Sequence, residues 1–464
     1  MSSIINARHR TDDRHELPGP RGLPLVGSLP ALLREGPFEF VERCWRAHGD
    51  MFQIPTLGHQ RIVVVTHPDE IDRVLTRTDI YVKDRNYDPV RPLLGDGLIT
   101  SSGDLWLSQR KLIQPIFHRT MLKNYVPTMA RCVDEMLLRW DRACAAGQTI
   151  DIFAEMARLT HHIVGLTLFG LDLMGSAEDA ARAVADSIHL AGERVNRGAL
   201  VLPLWIPTAS NRQFRRGVQT LDGLVYGIID RARRTPVDPE APRTLLRLLL
   251  DTRNESGACM SDRQLRDELL TQYIAGQETT ALALTWALYQ LAGRTDMTAR
   301  IRSEAGQLAV SPSLEDYDAL AYTRMVVDES MRLRPPVWAL TRMASRHDRL
   351  RGHPIEAGTT VMFGIYFAHR HPDFWDEPEV FRPERFTPER IKARHRHAYI
   401  PFIAGPRTCV GKRFAIYEAV ISLSKILRRY DVDVLPGQEV GMKVGATCHP
   451  DRPILARLVP AAGA

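Results

Sequence analysis

From about residue 104 to residue 300 the apolar positions recur at spacings of three and four, the mark of helices that bury one face. Short breaks at Gly147, at Gly175 and across 198–210 and 235–243 divide this region into several helices. Residues 51–66, MFQIPTLGHQRIVVVT, instead alternate around a glycine and carry β-branched side chains, which predicts a β-hairpin. Helical spacing returns near 322–334 and again over 411–430, a strand is expected around Thr359–Phe363, the stretch 372–388 is rich in proline, and a β-like tail ends the chain. Residues 1–20 are polar and read as a disordered segment, after which Pro18-Gly-Pro-Arg-Gly-Leu-Pro24 leads the chain inward. No linker, low-complexity tract, internal repeat, βαβ repeat or GxGxxG interrupts the rest. The pattern therefore predicts a single unit over 21–464, mainly α with a small β region.

The 464 residues, 44% of them hydrophobic, suffice for a large core without covalent staples. The six cysteines, Cys44, Cys132, Cys144, Cys259, Cys409 and Cys448, are scattered and form no CxxC pair, which argues against a zinc site or an iron–sulfur cluster and suits a reducing cytoplasm. The N-terminus has neither the apolar core of a signal peptide nor the roughly 20 apolar residues of a membrane span. The net charge of +6 is spread along the chain, so no nucleic-acid surface is expected, although a local basic face could dock an acidic protein.

One cysteine stands out by its neighbours. In Pro401-Phe-Ile-Ala-Gly-Pro-Arg-Thr-Cys-Val-Gly411, Phe402, Gly405, Arg407, Cys409 and Gly411 fill every defining position of Phe-x-x-Gly-x-Arg-x-Cys-x-Gly, and the segment resembles the haem-binding loop of the cytochromes P-450. Upstream, Glu329-Ser-Met-Arg332 followed by Phe381-Arg-Pro-Glu-Arg-Phe386 resembles that family's ExxR and PERF segments, and Ala275-Gly-Gln-Glu-Thr-Thr280 resembles its distal-helix motif. Trp106-x-x-x-Arg110 resembles its WxxxR pair, which helix spacing puts on one face.

The resemblance implies the family's fold, a triangular helix-rich prism around a buried haem b, with Cys409 as the iron ligand. A thiolate ligand pushes electron density onto iron and favours O–O cleavage. Backbone N–H groups and a helix N-terminus facing the sulfur would keep it deprotonated. Phe402 would shield that sulfur, Gly405 and Gly411 would permit the turn and the approach to the porphyrin, and Trp106, Arg110, Arg342 and Arg407 would serve the propionates. Glu329, Arg332 and Arg385 would form a buried triad that locks the Cys409 loop. Ala275 and Gly276 would make room for O2 by a local widening of the helix, while Thr279 holds the oxygen and Glu278 relays protons as the catalytic pair.

The implied activity is a monooxygenase reaction on a lipophilic small molecule. The run Leu-Arg-Pro-Pro-Val-Trp-Ala-Leu-Thr-Arg342 is similar to that of bacterial terpenoid oxidases and suggests a cyclic terpene. The pocket walls are expected from 85–100, Tyr273–Thr279, Val337–Leu340 and Gly445–Thr447, under a lid that includes 199–207. With no flavin or nicotinamide fingerprint in the chain, electrons must come from a ferredoxin or flavodoxin with its reductase, landing on Arg110, Lys111, Lys412 and Arg413. The protein is expected to act as a cytoplasmic monomer. Two other readings remain at this point: a haem-thiolate enzyme working by peroxide or rearrangement chemistry, and a non-catalytic haem sensor.

Overall fold

The computed structural model describes residues 17–58, 60–172, 187, 190–194, 201–236, 244–253 and 259–461. The breaks expected at Gly175 and over most of 235–243, and residues 1–16 of the polar N-terminal segment, lie outside them. Leu17–Pro20 do not trail into solvent: Leu17 is buried, the Pro18 carbonyl accepts the Gln53 N–H at 2.8 Å, and Gly19 presses so closely on the Gln53 carbonyl that a Cβ would lie 2.1 Å from it.

The organising element is the 30-residue helix Asp262–Leu291. Ser261 and Gln264 close its start with a reciprocal capping box, in which Gln264 N–H donates to Ser261 Oγ at 3.2 Å and Ser261 N–H to Gln264 Oε1 at 3.3 Å. Its second half is buried almost without interruption from Thr280 to Leu288, because other helices cover every side of it. Ile152–Val164, Ala321–Leu333 and Lys412–Arg429 all pack against it. Two of these match the helices expected near 322–334 and 411–430.

Among the described residues twelve short strands complete the fold: β1 (Met51–Pro55), β2 (Arg61–Val65), β3 (Tyr81–Val82), β4 (Ile150–Asp151), β5 (Ala339–Ala344), β6 (Asp348–Leu350), β7 (His353–Ile355), β8 (Thr360–Gly364), β9 (Tyr430–Val434), β10 (Met442–Val444), β11 (Cys448–Pro450) and β12 (Leu455–Pro460). The predicted hairpin is β1 against β2, from Met51 opposite Val65 to Pro55 opposite Arg61. It belongs to a five-stranded sheet in the order β1-β2-β8-β5-β3, whose one parallel pair, β2 with β8, joins residues about 300 positions apart in the chain. The inward residues Val63, Val65, Val361 and Phe363 make a core beneath this sheet, separate from the main helical core. No helix among the described residues is long and apolar enough to cross a membrane.

Candidate active site

The loop that carries Cys409 is a tight turn set before a helix. Gly405 adopts φ +71°, and a side chain there would meet the Leu75 carbonyl at 2.5 Å, so conformation and packing both demand glycine. The Cys409 N–H donates to the Phe402 carbonyl at 2.9 Å, folding the loop back on itself, and the helix Lys412–Arg429 starts immediately after Gly411. Cys409 opens into a deep cavity, so its accessible surface is cavity wall and not outer surface. Burial raises the thiol pKa, while the Gly411 and Lys412 N–H groups and the Arg110 and Lys412 cations oppose that rise. Such donors stabilise a thiolate.

The cavity has a volume of about 1950 Å³, well above the roughly 300–1,000 Å³ of a pocket for one small ligand. Trp106, Arg110, Ala275, Gly276, Glu278, Thr279, Arg342, Phe402, Arg407, Cys409 and Gly411 all line it. Gly405 does not; it acts from behind the loop. At Gly411 the backbone is ordinary, and a Cβ would meet only Phe117, at 3.8 Å, so the small residue serves the cavity and not the packing.

One end of the cavity is cationic. Arg407 stacks on the Trp106 ring, 4.2 Å from its centre, and donates to the Ser101 carbonyl at 3.3 Å. Arg342 is buried and donates to Tyr87 Oη at 3.1 Å. Arg110 donates to the Thr408 carbonyl at 2.6 Å, beside Cys409. Lys83, which the sequence did not single out, donates to the Leu98 carbonyl at 3.3 Å and to that of Ile99. None of these four cations is ion-paired to a carboxylate among the described residues. Burial, then repulsion by Arg407 and Arg342, pushes the Lys83 ammonium down to about 6; burial and Arg342 bring Arg407 down to about 10. Such a cluster calls for an anion. A haem fits: it is a flat group with two carboxylates at one edge and an iron that can take a thiolate.

On the opposite wall Thr279 Oγ1 donates back to the Ala275 carbonyl at 2.6 Å. The expected widening of this helix is absent: it is regular α from Asp262 to Leu291. A Cβ at Gly276 would meet only the Val164 side chain of the neighbouring helix, at an ordinary contact distance of 3.4 Å, so packing does not demand glycine there and its small size serves the cavity it lines. Glu278 meets an unexpected partner, His449 on β11, with Oε1 to Nε2 2.8 Å apart, and the same nitrogen lies 3.1 Å from Thr447 Oγ1. The other walls come from 85–99, Val337–Leu340 and Gly445–Thr447, as expected. Tyr273 is not among them; it turns toward His161, with Oη 2.5 Å from Nδ1. Of the anticipated lid, 199–200 lie outside the described residues and 201–207 do not reach the cavity lining, while Trp205 is 78% exposed.

Beneath the loop, Glu329 and Arg332 are wholly buried and joined by two bonds, Nε to Oε2 at 2.7 Å and Nη2 to Oε1 at 2.8 Å. Arg385 completes the triad, with Nε 3.4 Å from Glu329 Oε1. The link to the loop is His369: Arg332 donates to its carbonyl at 3.0 Å, and its Nε2 accepts the Ile400 N–H at 2.9 Å just before the loop begins. Burial, reinforced by Arg332 and Arg370, holds this imidazole far below its usual pKa, so it stays a neutral acceptor.

Residues 17–455 match the family model described as Cytochrome P450. Cyclooctatin synthase of Streptomyces melanosporofaciens is 32% identical over 437 residues, covering 92% of this chain and 92% of that protein. Pentalenene oxygenase of Streptomyces avermitilis is 30% identical over 445 residues, covering 95% and 96% respectively. Among solved structures, that of a cytochrome P450 superposes with a TM-score of 0.85 at 26% identity, covering 96% of this chain and all of that one.

Proposed function

The chain belongs to the cytochrome P450 family, and from that premise we propose that this monooxygenase oxidises a cyclic terpene with electrons from a separate ferredoxin or flavodoxin. The family binds haem iron through a cysteine thiolate; on this reading Cys409 is that ligand and 21–464 act as one catalytic unit. Trp106, Arg110, Arg342 and Arg407, with Lys83, hold the propionates. Phe402 covers the sulfur, and Ala275, Gly276 and Gly411 leave space for the porphyrin and for O2. The bound haem supplies dioxygen activation and the insertion of one oxygen atom into a substrate C–H bond.

The chain's own residues bind, orient and deliver protons. Leu93, Leu98, Ile274, Val337, Leu340 and Ala446 give the substrate apolar walls, which favour a lipophilic molecule. Glu278 brings protons to the oxygen site, and Thr279 fixes the oxygen there. Lys111, Lys412 and Arg413 are exposed beside the Cys409 loop, where an acidic electron donor would land. Arg110 is half-buried against Thr408, so it contributes field to that face more than contact.

The observation that carries this reading is that Cys409 and the Glu278–Thr279 pair line the same apolar cavity. The similarity to a cyclooctatin synthase and a pentalenene oxygenase supports the substrate class. Binding is tested by the spin-state shift of the haem Soret band across cyclic terpenes, steroids and fatty acids, and turnover by substrate-dependent O2 uptake with a surrogate ferredoxin. Terpenes that shift the band and drive O2 uptake are the expected result. A shift with fatty acids alone would overturn the substrate class, and turnover with hydrogen peroxide alone would overturn the O2 mechanism.

A further inference from the structure

A second group of ligating side chains lies away from the cavity, where the end of β2 meets the segment that follows the short helix Ile365–Ala368. One ring nitrogen of His67, one of His371 and a carboxylate oxygen of Asp373 all lie within 4.8 Å of one another. His371 is buried, His67 is nearly so, and Asp373 is 71% exposed. Two imidazoles thus face an open, carboxylate-flanked position.

What surrounds the two histidines resembles an outer shell. His371 Nε2 lies 2.9 Å from Asp50 Oδ1. That bond keeps the ring proton on Nε2 and leaves the Nδ1 lone pair 3.9 Å from Asp373 Oδ2. His67 Nδ1 lies 3.4 Å from Glu70 Oε2, a buried oxygen with no hydrogen-bond partner. At present His67 Nδ1 accepts the Asp69 N–H at 3.2 Å, which puts the ring proton on Nε2. Moving that proton to Nδ1 would give Glu70 its missing donor and free the Nε2 lone pair. Arg351 ties both carboxylates together, its Nη1 2.9 Å from Asp50 Oδ2 and its Nε 3.0 Å from Glu70 Oε1. A carboxylate behind each ligating imidazole is the usual support of a metal site, because it fixes the tautomer and raises the ligand's basicity.

We propose that His67, His371 and Asp373 form a site for a divalent transition-metal ion of the Zn²⁺ type, with water completing its shell. Two imidazole nitrogens and one carboxylate suit such an ion better than Mg²⁺ or Ca²⁺, which prefer oxygen alone. Ligand bonds of about 2.0–2.2 Å require the three donors to draw together from their present spacing. Asp373 is exposed and can swing in. The competing contact is weak, a 3.3 Å bond from the Asp373 N–H to His371 Nδ1. An ion here would staple the end of β2 to the segment in which His369, two residues before His371, holds the loop that carries Cys409.

The test is titration of the chelator-treated holoenzyme with Zn²⁺ in a calorimeter, with the haem Soret band confirming that each variant is folded. One saturable site per chain is expected. Asp373→Ala should weaken it strongly, and Arg351→Ala, which removes the shared support, should weaken it by about 10–100-fold. His371 is buried and its replacement risks the fold, so Asp373→Ala and His67→Asn carry the decision. His395 and His397 lie close by, against Asp69 and Asp72, and provide the contrast. Their replacement by alanine should leave the affinity unchanged. The site is refuted if no saturable binding occurs, if Asp373→Ala binds Zn²⁺ as tightly as the parent, or if the loss follows His395 and His397 instead.

Discussion

Replacing Arg332 by alanine removes the centre of the support under the Cys409 loop. Its guanidinium donates five bonds: two to Glu329, and one each to the carbonyls of His369, Pro378 (2.6 Å) and Val380 (3.2 Å). Breaking a fully buried ion pair by losing one partner costs roughly 3–5 kcal/mol. Two effects move the figure within that range. Glu329 keeps the Arg382 N–H at 2.7 Å and the Arg385 contact, which relieves it. The three carbonyls lose their donor, and each buried acceptor left alone costs about 1–3 kcal/mol before relaxation. A loss of about 4 kcal/mol lowers the folded-to-unfolded ratio nearly a thousandfold, against a typical total stability of about 5–15 kcal/mol. Because the His369 carbonyl and ring sit between Arg332 and Ile400, the damage should reach the haem loop first. The assay is the haem-to-protein absorbance ratio of the purified variant, together with its urea midpoint. Arg332→Lys keeps the charge but cannot bridge four groups, so it should fall between the two. An Arg332→Ala protein with the parent's haem content and urea midpoint would refute the idea that this triad holds the loop.

Cys409→Ala should abolish the red-shifted Soret band of the reduced carbon monoxide complex. Cys448→Ala should keep it, since that buried thiol, held at about 12 by burial, only packs. Thr279→Ala should keep substrate binding and reductant consumption while product per reductant falls and hydrogen peroxide rises; unchanged coupling would remove Thr279 from the reaction. Charge reversal at Lys412 or Arg413 should slow reduction by an acidic ferredoxin at low salt and flatten the salt dependence, with substrate affinity unchanged. Burial raises Glu268 from 4.5 to about 8, so between those values the folded protein holds a proton that the unfolded chain has lost, and stability falls as pH rises, by at most about 1.4 kcal/mol per pH unit. Glu268→Gln should flatten that fall, read as urea midpoints at pH 5 and pH 8; parallel curves would contradict it.

The residues legible in the sequence were those whose chemistry forces them close together along the chain. The turn around Cys409 needs glycine where φ is positive, an aromatic at one end and a helix start at the other, all within eleven residues, and that string could be read directly. Glu329 and Arg332 share one helical face, so their spacing already held the pair; only its burial needed the fold. Lys83, His369 and His449 could not be read, because each acts through a partner brought by topology. Glu278 meets His449 only because β11 pairs with β10 in one register, Cys448 opposite Val444, while the Cys448 N–H donates to the Pro336 carbonyl and Trp286 Nε1 donates to the Cys448 carbonyl at 3.0 Å. Nothing local to His449 marks it. The widening expected at Gly276 rested on a glycine in mid-helix alone, and the helix runs through that position as unbroken α.

On the proposed function, the distal wall divides its work in a way that follows from one hydrogen bond. Thr279 spends its hydroxyl proton on the Ala275 carbonyl at 2.6 Å, a short bond inside a regular helix turn. While that bond stands, the hydroxyl offers the cavity only lone pairs, so it can accept a hydrogen bond from a group above it but cannot give one. Proton supply must then come from elsewhere on the wall. Glu278 is the one carboxyl among 274–280, and it does not stand alone: His449 touches both it and Thr447, and its side chain is 32% exposed where that of Glu278 is 13%. The imidazole therefore bridges the more enclosed carboxyl to the more open hairpin. On the proposed function Thr279 would orient the oxygen and Glu278 would deliver the proton, with His449 holding the carboxylate between deliveries. This explains why the pair is adjacent in sequence yet turned to different partners. A single residue could not hold its proton on the helix carbonyl and also release it into the cavity.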